Sequence, residues 1–266
     1  KFFINCIPAK NYIYLNHKSP ELLKDIPQLR VENIGLNYLD NDSPFMWNLH
    51  TRTLCLNTWY GVSPVFKDTA SCTIDTLYHL FNSHLSKVFN TTINPLKLIE
   101  FIPTVNYSCF KIENIENYVN TSQNKKILIC NGNVISKQSR NFSFNGIVDK
   151  IARDYPNVDF IMTEKFICNR PNILFTDDLI DKQGCDLNEI SYLSLHCDSI
   201  IGRSSGPYIY SMVKENLLHP EKTFVCFSDD ESIAWWSDDR SLFKCKTIWS
   251  NDYSENNIVN KIAERL

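Results

Sequence analysis

The stretch with the clearest capacity for chemistry is residues 199–208, which is rich in small and hydroxylated side chains. Ser199-Ile200-Ile201 predicts a short buried strand, and the chain then runs through Gly-Arg-Ser-Ser-Gly-Pro into a predicted helix. Such a corner exposes backbone N–H groups at the start of a helix, where phosphate can bind. The glycines allow close approach of the backbone, and serine and arginine side chains can donate hydrogen bonds. The candidate phosphate ligands are therefore Arg203, Ser204, Ser205 and Gly206, although a strand-to-helix turn without a ligand fits this local sequence equally well.

The elements that would position this stretch follow a regular alternation from residue 126 onward. Short apolar runs predict strands, and amphipathic helical periods begin near residues 145 and 186 and after residue 205. The predicted strands are 126–130, 158–162, 172–176, 199–201 and 223–227. Alternation of this kind predicts an α/β domain with a parallel sheet.

The first half of the chain is less regular but carries similar patterns. Strands are predicted at 11–16, 31–36 and 53–56, and a helix over residues 74–88. The polar stretch 111–125 has no strong period and reads as a linker. We therefore expect two α/β domains, residues 1–120 and 121–266, with the last helix as a candidate to pack back on the first domain.

Composition limits the partners. The 266 residues contain 27 Lys and Arg against 30 Asp and Glu, so the basic excess typical of nucleic-acid binding is absent. No apolar run approaches the ~20 residues of a transmembrane helix, and the opening residues are too short for a signal peptide, so we expect a soluble chain. Ten cysteines without a CxxC pair fit packing in a reducing cytoplasm better than metal binding.

A longer run around the Ser-Gly-Pro turn adds a family resemblance. Residues 186–207 open with Asp186-Leu187-Asn188-Glu189, continue through the strand at Ser199, and end with Ser205-Gly206-Pro207. This run resembles the C-terminal nucleotide-binding domain of GT-B glycosyltransferases, in particular the heptosyltransferase type. Two positions depart from that pattern: Ser204 replaces an acidic residue, and Ile209 replaces a histidine. The donor and the catalytic details should therefore differ from those of a heptosyltransferase.

The resemblance implies two Rossmann-like domains that face each other across a cleft. It implies a glycosyltransferase that moves a sugar from a nucleotide-sugar donor to a glycan or glycolipid acceptor, without a metal and with no cofactor besides the donor substrate. Its setting would be the synthesis of a bacterial surface polysaccharide such as lipopolysaccharide. The corresponding location is the cytoplasm or the inner face of the cell membrane, to which the protein would attach only peripherally.

Within such a fold, the donor lies at the carboxyl ends of the strands of the second domain. The loop after the strand 126–130 then supplies candidate phosphate ligands, namely Asn131, Gly132, Asn133, Lys137, Gln138 and Ser139. Glu164, Asp177 and Asp178 end strands and could accept hydrogen bonds from a ribose or a base. Solvated turn carboxylates are an equally good interpretation of the two aspartates.

A transferase of this type also needs a base that removes the proton of the acceptor hydroxyl. His17 directly follows the strand 11–16 and is the first candidate, and Asp40 and Asp42 follow the strand 31–36. A hydrogen-bonded structural histidine and a plain turn are the alternatives for these positions. The acidic and aromatic loop around Trp235-Trp236 fits an acceptor rim or an interface.

Other functional classes are less well supported. Neither a P-loop nor a Gly-x-Ser-x-Gly motif is present, and no DxD motif lies within a strand-rich donor domain, so no metal site is predicted. Two alternatives remain open. The chain could be a sugar-nucleotide epimerase or hydrolase on the same fold, or a non-catalytic nucleotide-sugar-binding module of a larger protein.

Overall fold

The computed structural model describes residues 12–16, 20–33, 45–48, 53–56, 82–92, 102–135, 139–181, 184–235 and 240–266. The chain divides into two compact units, residues 1–101 and 102–266. The division falls before the stretch 111–125 that the sequence suggests as a linker, so that stretch belongs to the second unit.

The first unit contains two strand pairs within its described residues. Strands β1 (Tyr12–Asn16) and β2 (Leu29–Asn33) pair in parallel, while β3 (Phe45–Asn48) and β4 (Thr53–Leu56) pair antiparallel. The predicted strands 11–16 and 53–56 are confirmed, and the predicted strand 31–36 begins two residues earlier, at Leu29. Residues 82–88 of the predicted helix 74–88 are helical.

The second unit is built on a six-stranded sheet in which every neighbouring pair is parallel. Its strands are β5 (Lys125–Cys130), β6 (Val158–Met162), β7 (Ile173–Phe175), β8 (Ser199–Arg203), β9 (Thr223–Phe227) and β10 (Lys246–Ser250). Their order across the sheet is β10-β9-β8-β5-β6-β7. Counted from β5, this is the order 3-2-1-4-5-6 of doubly wound nucleotide-binding sheets.

Seven helices are described in the second unit, and we number them from its start. They are α1 (Glu113–Thr121), α2 (Asn145–Asp154), α3 (Thr176–Leu179), α4 (Leu187–Leu195), α5 (Gly206–Tyr210), α6 (Lys214–Leu217) and α7 (Glu255–Ala263). All residues of β6, β8 and β9 are buried, because the strands of a doubly wound sheet are covered on both faces.

The core on one face of the sheet lies under α2 and α7. Ile147, Val148 and Ile151 of α2 meet Ile258 and Ile262 of α7, and all five are buried against the apolar side chains of the sheet. The spacing of these residues at three and four positions puts them on one stripe of each helix, as an amphipathic helix requires. The last helix thus uses its apolar stripe within its own unit.

One local expectation was wrong, and one strand was not predicted. The predicted linker contains helix α1, whose Ile115 is fully buried and whose Tyr118 hydroxyl donates to Asp159 Oδ2 at 2.7 Å. A single deeply buried residue gives a weak periodic signal, so the helix reads as polar loop. The sequence does not predict strand β10, because Ile248 and Trp249 are the only large apolar residues of this edge strand.

Candidate functional site

The candidate site lies where the order of the sheet reverses, between β5 and β8. The chain leaves β5 toward β6 and β7, and after returning to β8 it continues on the other side toward β9 and β10. Connections that diverge in this way open a crevice at the carboxyl ends of the two central strands. Two segments border this switch point: the β5 loop, residues 131–133, and the β8 turn, residues 204–206.

Gly202 allows β5 and β8 to approach each other closely. It pairs with Cys130, and a Cβ atom built on Gly202 would lie 2.6 Å from Cys130 Cβ and 3.0 Å from Cys130 O. Real Cβ atoms essentially never come as close as 2.6 Å, and 3.0 Å is tighter than most contacts, so a side chain at this position would force the two strands to shift. Gly202 therefore packs the seam below the switch point.

Asn131 fixes the β5 loop to the end of β6. Its side-chain amide donates to the carbonyl oxygen of Glu164 at 2.9 Å, and its Oδ1 accepts from the Glu164 N–H at 2.8 Å and from the Thr163 hydroxyl at 3.2 Å. This side chain is a predicted phosphate ligand, but the structure shows its polar atoms engaged within the protein.

Arg203 ends β8, and its side chain is completely buried. The guanidinium donates to the carbonyl oxygens of Asn131, Gly132 and Phe142, with 2.6 Å between Nη2 and Gly132 O. The rings of Phe142 and Phe144 lie 5.0 and 5.5 Å from its central carbon. Burial lowers the pKa of Arg203, and the nearby Glu164 carboxylate acts in the opposite direction. The side chain predicted to contact phosphate is thus engaged with the main chain.

The two serines of the β8 turn differ in their contacts. The Ser204 hydroxyl donates to Ile233 O at 2.7 Å, which fixes the turn to residues 231–235. Ser205 precedes α5 as its N-cap, but its buried hydroxyl forms no capping bond and has no hydrogen-bond partner in the described ranges. The N–H groups of Gly132 and Asn133 likewise have no acceptor in the part of the chain that is described. A buried hydroxyl without a partner, such as that of Ser205, is uncommon in folded proteins and calls for an explanation, whereas the two N–H groups belong to a half-buried and an exposed residue.

Glu164 brings a carboxylate to the β5 loop. A Cβ atom on Gly132 would lie 2.7 Å from Glu164 Oε1, so the glutamate side chain lies directly over this glycine. In doubly wound sheets, an acidic residue after the second strand commonly binds ribose hydroxyls, and Glu164 follows the second strand of this sheet. The sequence predicts Glu164 as a ligand but gives no sign that it lies over Gly132.

The remaining predicted residues lie at several places. Asp177 and Asp178 lie in the first turn of α3, and Asp178 pairs with Lys165 at 2.5 Å. The buried Ser139 donates to Phe227 O at 2.9 Å, and Asn133 is exposed. A Cβ atom on Gly206 would meet only Leu187 at an ordinary 3.5 Å. His17, Asp40, Asp42, Lys137 and Gln138 lie outside the described residues.

Trp235 packs against the β8 turn and its helix. It is buried, its ring centroid lies 6.5 Å from that of Tyr208, and the Arg240 guanidinium lies 5.8 Å from the ring. Trp236 is outside the described residues. The sequence suggests Trp235 as a residue of an acceptor rim or of an interface. It gives no indication that the fully buried Tyr208 packs beside this tryptophan.

We call the side of the sheet where its strands begin the amino edge, and the side where they end, with the switch point, the carboxyl edge. At the amino edge, the buried Lys222 lies at the carboxyl end of α4. Lys222 Nζ donates to Ser194 O, Leu195 O and Asn216 Oδ1 at 2.6–2.9 Å. Burial lowers the pKa of this lysine to about 8. A cation at the carboxyl end of a helix is electrostatically favourable. Sequence reasoning found no role for Lys222, because its acceptors lie on helices that are separate in the chain.

A cavity of about 370 Å³ lies elsewhere, between the first turns of α2 and α7. Gly146, Lys150, Tyr253 and Glu255 are among its lining residues, and Lys150 pairs with Glu255 at 2.5 Å. The charged groups of this cavity thus neutralise each other, unlike the donors at the switch point.

Three further properties bear on chemistry. The seven cysteines of the second unit are free thiols, and burial raises the pKa of Cys197 and Cys226 to about 12. Such thiols are poor nucleophiles at neutral pH. In the described ranges, no three His, Cys, Asp or Glu side chains come together as metal ligands. Helices of the described part are all too short or too polar to cross a bilayer.

Comparison with known proteins gives only distant similarity. No family model matches the chain, and no curated protein matches it. Among solved structures, the chain is similar to ADP-heptose lipopolysaccharide heptosyltransferase II of E. coli, with a TM-score of 0.41 and 11% identity over 67% of this chain and 57% of that one. It is also similar to a glycosyl transferase family 9 structure from Veillonella parvula, with a TM-score of 0.35 and 10% identity over 58% of this chain and 44% of that one.

The chain therefore spans little more than half of the first of these proteins and less than half of the second. Both are glycosyltransferases, the class that residues 186–207 resemble. Similarity of this degree identifies no activity for the chain, so a function has to be inferred from the residues at the switch point.

Proposed function

We propose that the chain is a glycosyltransferase of GT-B type whose second unit binds a nucleotide-sugar donor at the switch point. One observation carries the proposal: among the described residues, the Ser205 hydroxyl and the N–H groups of Gly132 and Asn133 have no acceptor, and they lie on the two segments that border this crevice. The diphosphate of a nucleotide sugar offers several anionic oxygens to such donors, and charge-assisted bonds of this kind are strong.

Each flanking residue then has a role in holding the donor. Ser205 and the β5 loop bind the diphosphate, Glu164 accepts from ribose hydroxyls, and Asp177 lies toward the base. Helix α5 has only five residues, so we attribute binding of the charge to individual donors rather than to the dipole of a long helix. Donors already in place would also stabilise the nucleoside diphosphate as it leaves.

The first unit would supply the acceptor side of the reaction. His17 is the first candidate for the base, followed by Asp40 and Asp42, on the grounds of their positions after predicted strands. The acceptor would be a glycan or glycolipid of a bacterial surface polysaccharide, used in the cytoplasm or at the inner face of the membrane. Replacing a true base, as in His17→Ala, should lower kcat by about two to four powers of ten and leave donor affinity nearly unchanged.

The test of the donor site is calorimetric titration with a panel of nucleoside diphosphates. We expect one of them to bind, and Ser205→Ala to raise its Kd about ten-fold, because a hydrogen bond to a charged group is lost. Ser199→Ala is the matched control, since Ser199 is a buried serine at the other end of the same strand. Equal affinity of the Ser205→Ala variant and the wild type would place the site elsewhere.

Turnover with nucleotide sugars separates transfer from the two alternatives. A transferase releases the nucleoside diphosphate only with an acceptor, whereas a hydrolase or epimerase converts the donor alone, and a binding module converts nothing. We further propose that transfer needs no metal and therefore continues in excess EDTA. Loss of turnover in EDTA that manganese or magnesium restores would refute that mechanism.

A further inference from the structure

We infer that Arg203 is a positioning residue that turns two successive N–H groups of the β5 loop, those of Gly132 and Asn133, into a binding pair for the diphosphate. The inference rests on the proposed function for the identity of the ligand. It goes beyond that function by assigning the anion site to two peptide groups and by giving Arg203 an indirect role.

The geometry follows from the planar trans peptide. The carbonyl oxygen of Asn131 shares its peptide group with the Gly132 N–H, and the carbonyl oxygen of Gly132 shares its own with the Asn133 N–H. In each group the C=O and N–H bonds point in opposite directions. The Arg203 guanidinium donates to both carbonyl oxygens, so both N–H groups point away from it.

The electrostatics act in the same direction. A positive charge behind the two carbonyl oxygens polarises each peptide group and makes its N–H a stronger donor. The guanidinium is fully buried, so water screens it little, and its bonds in the described structure go to carbonyl oxygens rather than to a carboxylate. The charge of Arg203 is therefore available to the loop without being neutralised by a directly bonded acid.

The surroundings hold the guanidinium in this place. Its third acceptor, Phe142 O, belongs to the segment before α2, and the rings of Phe142 and Phe144 lie over the side chain. Arg203 thus connects the end of β8 to both parts of the chain that follow β5. A lysine has one nitrogen and no planar fork, so it cannot reproduce bonds to three carbonyl oxygens.

The Glu164 carboxylate repels an anion at the β5 loop, and this repulsion gives a second test of the inference. The exposed carboxylate lies over Gly132, where it repels a phosphate near the two N–H groups. We therefore expect Glu164→Gln to bind inorganic pyrophosphate several-fold more tightly than the wild type does. The same substitution should weaken binding of a nucleoside diphosphate if Glu164 also binds the ribose.

The experiment is a titration of the ¹⁵N-labelled full chain with inorganic pyrophosphate, followed by NMR. We expect the amide resonances of Gly132 and Asn133 to shift and saturate together. Arg203→Lys should raise the Kd for pyrophosphate ten-fold or more. Lys222→Met is the matched control, because it also removes a buried cation from main-chain carbonyl oxygens, but at the other edge of the sheet. It should lower the Tm and leave this Kd unchanged.

The outcomes separate this inference from the proposed function. If pyrophosphate binds but the Gly132 and Asn133 amides do not respond, or if Arg203→Lys binds as the wild type does, the inference is overturned and the donor site can remain. If neither pyrophosphate nor any nucleoside diphosphate binds, the proposed function fails as well. Should Arg203→Lys not fold, the response of the wild-type amides decides alone.

Discussion

The two edges of the six-stranded sheet each contain a buried cation that donates to main-chain carbonyl oxygens, yet they differ in what surrounds it. At the amino edge, Lys222 meets Ser194 O, Leu195 O and Asn216 Oδ1. The buried Asp159 accepts from Tyr118, Ser122 and Asn124. At the carboxyl edge, Arg203 is equally well bonded, but the donors of Ser205, Gly132 and Asn133 have no acceptor among the residues that the structure describes.

This difference indicates which edge is built for a ligand. At the amino edge the buried charged groups are bonded by the protein itself, with His196 Nε2 as an unpaired exception whose pKa is lowered by burial and by Lys222. At the carboxyl edge Arg203 donates to the carbonyl oxygens of a loop in which the Gly132 and Asn133 N–H groups have no acceptor within the described part of the chain. An unpaired buried donor lowers the stability of a protein, so the buried Ser205 hydroxyl favours a binding role at the switch point, and two N–H groups of the β5 loop without an acceptor in the described chain lie beside it.

The largest effect on stability is expected at the amino edge. Asp159→Ala removes the acceptor of three side chains, and we expect a loss of about 3 kcal/mol in the free energy of unfolding. Chemical denaturation measures it. Binding of nucleoside diphosphates by the folded variant should not change, and a large loss of affinity would break the division of roles between the two edges.

Gly202→Ala tests the seam between β5 and β8. Its Cβ atom would lie 2.6 Å from Cys130 Cβ, which is fixed to the main chain of β5 and cannot move without shifting that strand, so we expect a cost of about 1–3 kcal/mol. Gly146→Ala is the control, because a Cβ atom there meets nothing within 4 Å and alanine favours a helix. Denaturation curves should show Gly146→Ala at or above wild-type stability. Equal behaviour of the two variants would contradict the close packing at Gly202.

The sequence predicts the strands and the turn that surround this site well, because these elements depend on residues that are neighbours in the chain. The strands 158–162 and 223–227 agree with β6 and β9 at both ends, since continuous apolar runs mark buried parallel strands. The turn from β8 into a helix at Ser205 is also visible, as small residues and proline favour such a corner.

What the sequence does not reveal depends on distant parts of the chain. The role of Arg203 depends on carbonyl oxygens that lie 61 to 72 residues away, and an arginine next to serines reads naturally as a phosphate ligand. The acceptors of Lys222 also come from other elements. The stretch 111–125 reads as a linker because its helix buries little more than Ile115.

The pH dependence of stability sharpens the description of the amino edge. The pKa of Lys222 is about 8 in the folded chain and higher in the unfolded chain, where water solvates the amine. Between about pH 8 and 10.5 the unfolded state therefore binds more protons, and this lysine adds stability as the pH rises. We expect the stability difference between the wild type and Lys222→Met to increase over this range. A constant difference would mean that the pKa is not lowered.

The smallest effect on stability is expected at Ser205. Its buried hydroxyl has no partner in the part of the chain that the structure describes, so Ser205→Ala should change the free energy of unfolding by less than about 0.5 kcal/mol, or raise it slightly. Thermal and chemical denaturation measure this change. A loss above 1 kcal/mol would show that the hydroxyl already has a structural partner, and it would remove the main reason for placing a ligand there.

The most direct test of the central claim is a crystal structure of the chain with the nucleoside diphosphate that binds best in solution. We predict that its diphosphate lies between the ends of β5 and β8, within hydrogen-bond distance of the Ser205 hydroxyl and the Gly132 and Asn133 N–H groups. A diphosphate bound in the cavity between α2 and α7, or at the amino edge beside Lys222, would contradict the claim.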